Sequence, residues 1–314
     1  MVLLLLDLPP ETLEDVLVQS DPLDVAAFAQ TCRFTRALVY HTSDQHLWRV
    51  LYLAQPLDDP RRCVSHAGRP HPSPLTAPGP DWKRELQRFV RARTVLRHPA
   101  RCRPAERAAV LQTLLDLVCN VPPRTPGLAF DAFEPGSLNL RWVAGALRTG
   151  GFLDVIEGDD DEDSDVEWTE EERQLFARLH VYFGLTPRDS EPGRRVASRA
   201  YVYSMRNCTA ESGYGPFARD GSFRVNWVHV QAVHHAVSMH LVGARDVGDD
   251  DDDEDDEVVP MSMPYIQPVL ILLEDSDGQD WAGISGMWRC SFCFCNHQEL
   301  LGRSLYSILL GFPP

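Results

Sequence analysis

Four soft metal ligands, Cys290, Cys293, Cys295 and His297, stand close together near the C-terminal end of the sequence. Thiolates and an imidazole at that spacing could hold a tetrahedral zinc ion. The surrounding residues argue against it. Met287 to Phe294 reads as a strand, whose alternation puts Cys293 and Cys295 on one face and Cys290 on the other, and no second cysteine pair follows at a finger-like distance. Apolar packing is the expectation, with no bound metal. A second set of possible ligands, His229, His234, His235 and His240, falls on one expected helix. It contains no His-Glu-x-x-His pattern and meets no carboxylate until Asp246, so these read as solvent-facing or core histidines. No glycine loop to cradle phosphate and no serine elbow is present, so the sequence predicts neither an enzyme nor a cofactor.

Charge offers another chemistry. Arg61 to Arg107 carries 12 Lys or Arg against Asp81, Glu85 and Glu106, with Trp82 and Phe89 interleaved. That composition suits nucleic acid, but it equally suits a solvated helical face neutralised by the chain's own acids, which is the expectation here. The net charge of -16 is concentrated. Of 46 carboxylates, 21 lie in Glu157–Glu172 and Asp246–Glu257, leaving 25 against 30 Lys and Arg elsewhere. The tracts are too charged to collapse and read as loops. Eight scattered cysteines in a chain of this size do not suggest a disulfide framework, and a reducing compartment, cytoplasm or nucleus, fits them. The opening apolar run lacks a basic flank and meets Asp7, Pro9 and Pro10, unlike a secretion signal. No later run reaches the ~18 residues that a membrane span requires.

The elements follow from periodicity. Pro10 suits a first helical turn, Glu11, Glu14 and Asp15 favour its positive end, and Leu13, Val16 and Leu17 form one stripe. Asp21-Pro22 caps a second helix to about Thr31, a third follows Cys32, and a fourth starts near Ser43 or Asp44 and carries Leu47, Trp48, Leu51 and Tyr52. Seven prolines between 56 and 80 mark a linker. Helices over 81–98 and 105–119 should form a hairpin, with further helices at 138–148, 169–183, 193–205 and 223–241. Tyr265–Leu273 and Met287–Phe294 read as strands.

The pattern Leu8-Pro9-Pro10-Glu11-x-Leu13-x-x-Val16-Leu17, then Asp21-Pro22-Leu23-x-Val25-x-x-Phe28-x-x-x-Cys32-Arg33, then Leu47-Trp48-x-x-Leu51, resembles the F-box family over about 45 residues. Ser20 and Phe34 depart from the residues commonest there. The resemblance implies a three-helix module that binds the Skp-family adaptor of cullin-RING (SCF-type) ubiquitin ligases through Leu8, Pro9, Leu13, Val16, Leu17, Leu23, Phe28 and Trp48. A unit so short leaves apolar surface for a partner to cover. The segments Tyr214–His229 and Asp280–Arg289 resemble those of a fungal group of F-box proteins.

The expected fold is mainly α with a small β part: a three-helix F-box at 1–55, a Pro-rich linker at 56–80, and a helical substrate-recognition region at 81–245 with an acidic insert at 157–168. An acidic linker at 246–260 and antiparallel strands at 261–314 complete it. Gly286-x-Trp288 resembles the plugged end of small barrels, yet too few residues follow to close one before Pro314, so this part is expected to be truncated, completed by a partner, or no barrel. The function implied is a non-catalytic substrate receptor in protein ubiquitination, with a protein target and without membrane or nucleic acid. The alternative is a helical scaffold or nucleic-acid-associated protein. Lys83 is the only lysine beside 29 arginines, which codon usage in a GC-rich genome explains, and which also leaves a ligase subunit few sites for its own ubiquitination.

Overall fold

A computed structural model describes residues 8–41, 44–65, 79–124, 136–158, 168–243 and 262–268. The chain forms two compact units, one of residues 1–167 with 263–269 and one of residues 168–262 with 270–314. Of the helical region expected over 81–245, the residues up to 167 share a unit with the N-terminal helices and the rest belong to the second.

Four short helices open the first unit: α1 (Pro10–Leu17), α2 (Pro22–Phe28), α3 (Arg33–Tyr40) and α4 (His46–Leu53). Each break has a local cause. Asp21 accepts the Leu23 amide at 2.9 Å and Pro22 takes the first helical position, so α1 cannot run into α2. Cys32 and Thr35 cap α3 reciprocally, Sγ receiving the Thr35 amide at 3.5 Å and Thr35 Oγ1 the Cys32 amide at 3.3 Å. At α4 the Asp44 carboxylate accepts the His46 amide at 3.3 Å. Helices of seven or eight residues are unstable alone, so packing must hold them.

That packing comes from further along the chain. α5 (Trp82–Arg97) and α6 (Pro104–Cys119) form the expected hairpin, and Trp82, Leu86 and Phe89 of α5 share one core with Leu17, Val25, Val39, Trp48, Leu51 and Tyr52. Polar bonds fix the same junction: the Trp82 amide donates to Gln45 Oε1 at 2.7 Å, and Arg93 reaches Asp21 at 3.0 Å. α6 leads into β2 (Asn120–Val121), which pairs antiparallel with β1 (Val64–Ser65) in the register Val64 to Val121. α7 (Leu138–Gly150) and α8 (Phe152–Gly158) complete the unit. They meet at Gly151, whose φ of 55° favours glycine, and a Cβ on Gly150 would stand 2.6 Å from the Leu96 carbonyl.

One buried carboxylate, Asp58, ties the chain just after α4 to the start of α7. Asp58 accepts Ser137 Oγ at 2.5 Å and the amides of Leu138 and Asn139 at 3.2 and 3.0 Å, filling the N-terminus of α7, while the Asp58 amide donates to Asn139 Oδ1 at 2.9 Å.

In the second unit α9 (Glu170–Phe183), α10 (Pro192–Tyr203) and α11 (Trp227–Gly243) pack together. The expected Thr169/Glu172 capping box is present. α11 starts later than the expected 223, because Phe223 has φ 55° and Phe217 bridges to Val225 as extended chain.

The fold is mainly α with a small β part, but the observed sheet joins residues 64–65 to 120–121. Of the expected strand at 265–273, Tyr265 ends a 3-10 turn begun at Met263. Pro264 and Pro268 have no amide hydrogen to give a ladder. The rest of that segment and Met287–Phe294 lie outside the described residues.

Candidate adaptor-binding surface

The eight residues implied by sequence divide by depth. Leu13, Leu17 and Trp48 are buried. Phe28 is half-buried and packs on the core that contains Leu17 and Trp48, and Leu8 is half-buried at the chain's entry to α1. Pro9 is exposed, as are Val16 at 53 % and Leu23 at 47 %. The structure thus brings Leu17, Phe28 and Trp48 together as interior and leaves Pro9, Val16 and Leu23 as surface. Trp48, expected as a binding anchor, has its ring 5.5 Å from that of Tyr40 and sits in the core completed by α5. The reason is cover in cis: the short unit's apolar excess is partly sheltered by its own chain.

Phe34 of α3 was not in the expected set, yet it is 46 % exposed. Its signal in the sequence was its departure from the residue commonest there in F-box proteins. α1, α2 and α3 therefore each present one large apolar side chain to solvent: Val16, Leu23 and Phe34. Such residues can contribute ~1–2 kcal/mol each when a partner buries the rest of their surface.

The electrostatics rigidify this frame. Desolvation pushes the Asp21 carboxyl up, but the Leu23 amide and Arg93 outweigh it and hold it below the ordinary range. The Thr35 amide and hydroxyl lower the Cys32 thiol. Burial raises the Cys63 thiol to about 12, so this side chain behaves as an apolar filler.

Four of the twelve basic residues in this run form internal pairs with acids. Arg61 meets Asp59 at 2.5 Å, Arg88 pairs with Asp116, Arg91 Nε donates to Glu106 at 2.7 Å, and Arg93 holds Asp21. Arg91 draws the Glu106 carboxyl down to about 2.

In the second unit His229 and His235 are buried and His234 is half-buried. His235 Nε2 contacts the Asp189 carbonyl at 2.9 Å, and His180 Nε2 lies 3.2 Å from the Asp189 carboxylate. His180 and Asp189 were not singled out in the sequence, since nothing local joins them. Desolvation lowers His234 to about 4, with His180 and His235 adding to the effect. Among the described residues no group of three or more His, Cys, Asp or Glu is arranged to hold a metal ion, and the Cys290–His297 cluster lies outside them. No described helix is long and apolar enough to cross a membrane.

No curated protein and no solved structure matches the chain. Residues 5–43 match the family model for the F-box domain, a span that contains α1, α2 and α3 and the exposed Val16, Leu23 and Phe34. Helices α1, α2 and α3 of this chain are an F-box domain.

Proposed function

We propose that the chain is the substrate-receptor subunit of an SCF-type cullin-RING ubiquitin ligase. Its F-box binds a Skp-family adaptor, and the remainder presents a protein target. The observation that carries this reading is that α1, α2 and α3 each leave one large apolar side chain exposed, Val16, Leu23 and Phe34, while their buried residues Leu17, Val25 and Val39 share a core with Trp82, Leu86 and Phe89 of the chain's own α5. A sealed core with a separate apolar exterior fits a surface kept for a partner. Pro9, also exposed, stands at the start of α1.

In this role the chain contributes binding rather than catalysis and works without a cofactor. The pairing of Arg61, Arg88, Arg91 and Arg93 with acids of the same unit disfavours nucleic acid as the partner. Free thiols at Cys32, Cys63 and Cys208 suit the cytoplasm or nucleus. The test is affinity purification of the full chain from cells, in parallel with a Val16→Asp, Leu23→Asp variant. The reading requires adaptor and cullin to accompany the first and not the second, and is lost if neither accompanies the unaltered chain. Proteins retained by both forms are the target candidates.

A further inference from the structure

The only lysine among 314 residues is not a free surface amine. Lys83 stands in the first turn of α5, and its Nζ lies 5.1 Å from the ring centre of Tyr40 and 5.7 Å from that of Trp48. The two rings are tilted by 38° with centres 5.5 Å apart, so they form a notch with the ammonium over both. A third contact closes it: Nζ donates to the Tyr40 carbonyl at 3.3 Å. Lys83 is half-buried, whereas its neighbour Arg84 is exposed. Two aromatic faces and a carbonyl each favour the cation where it sits.

We propose that Lys83 is a structural cation closed to acyl transfer, so that this chain offers a ubiquitin ligase no lysine acceptor of its own. The inference rests on the function proposed above for its biological meaning, but the closure of Lys83 stands on geometry alone. In ubiquitin transfer a neutral lysine amine attacks the thioester carbonyl. The C–N bond forms, the C–S bond breaks, the thiol leaves and the amine proton passes to solvent. For Lys83 that attack requires the amine first to leave both rings and the Tyr40 carbonyl. A receptor held beside an activated ubiquitin would otherwise be its nearest target.

The experiment has two arms on the full chain. In the first, the purified protein is acetylated with a water-soluble activated ester and Lys83 is followed by peptide mass spectrometry, with the lysine introduced by Arg84→Lys as internal reference on the same helix. Lys83 is expected to react on the order of tenfold more slowly than that reference, and Tyr40→Leu to narrow the gap while circular dichroism stays unchanged. Equal rates at the two lysines overturn the inference. Should Tyr40→Leu unfold the chain, the comparison within Arg84→Lys still decides.

The second arm reconstitutes the ligase with adaptor and cullin-RING subunits and maps ubiquitin remnants. The expected result is modification of the Arg84→Lys chain at its new lysine with none at Lys83. Remnants at Lys83 at a comparable rate overturn the proposal. Failure of the adaptor to bind is a failure of the proposed function, and leaves the first arm to judge Lys83.

Discussion

Leu17 and Leu23 belong to the same expected binding set, yet their depths predict opposite phenotypes. Leu17 is 5 % exposed and shares a core with Trp48, Val25 and Phe89. Leu17→Ala removes the branched end of a buried side chain and leaves a cavity that short, mutually dependent helices collapse into only partly, costing about 3 kcal/mol of folding stability. Adaptor affinity of the molecules that remain folded should not change. Leu23 is half-exposed near the start of α2, where a carboxylate faces the positive helix end. Repulsion from Asp21 and Asp24 offsets that gain, so Leu23→Asp should move folding stability by less than about 0.5 kcal/mol. On binding, the unburied half of the leucine forfeits about 1 kcal/mol, and desolvating an unpaired carboxylate adds at least ~1–2 kcal/mol. The sum corresponds to an adaptor Kd roughly 30- to 150-fold weaker. Urea unfolding measures the first quantity and calorimetric titration with a purified Skp-type adaptor the second. The reasoning is refuted if Leu23→Asp binds like the unaltered chain, or if Leu17→Ala unfolds at the same urea concentration but loses affinity.

Two further expectations concern the frame. Asp58→Ala leaves the Ser137 hydroxyl and the Leu138 and Asn139 amides without their buried acceptor and should cost about 2–4 kcal/mol in urea unfolding. Asp58→Asn, which keeps one acceptor oxygen, should lose less, and equal losses would argue against the carboxylate as the latch. His234, lowered from 6.5 to about 4 by burial, binds fewer protons folded than unfolded between those values. Its contribution is complete above pH 6.5 and is lost as pH falls toward 4, by roughly 3 kcal/mol at most. Thermal unfolding across that window should show the decline, and His234→Gln should flatten it. An unchanged slope would refute the assignment to His234.

The elements that local rules govern were legible in the sequence. Asp21-Pro22, the Thr169/Glu172 box and the α5–α6 hairpin all stand where capping residues and apolar spacing put them. Depth was not legible. A stripe such as Leu13, Val16, Leu17 says which side of α1 is apolar, but whether a given member faces the chain's own interior or a partner depends on α5, some 65 residues on, whose Trp82, Leu86 and Phe89 close the core. Trp48 is interior for that reason. The Asp58 latch and the His180–Asp189 contact join distant or unpatterned residues, and no periodicity announces such pairs. The start of α11 was missed because Phe223 adopts a left-handed conformation that its residue type does not foretell.

The most direct trial of the account is a titration of the full chain with a purified Skp-type adaptor, followed by size-exclusion chromatography of the mixture. The account predicts a stoichiometric complex with Kd at or below about 1 µM, weakened by Leu23→Asp. Separate elution of the two proteins with no heat of mixing, while the chain's circular dichroism remains that of a folded helical protein, would contradict it.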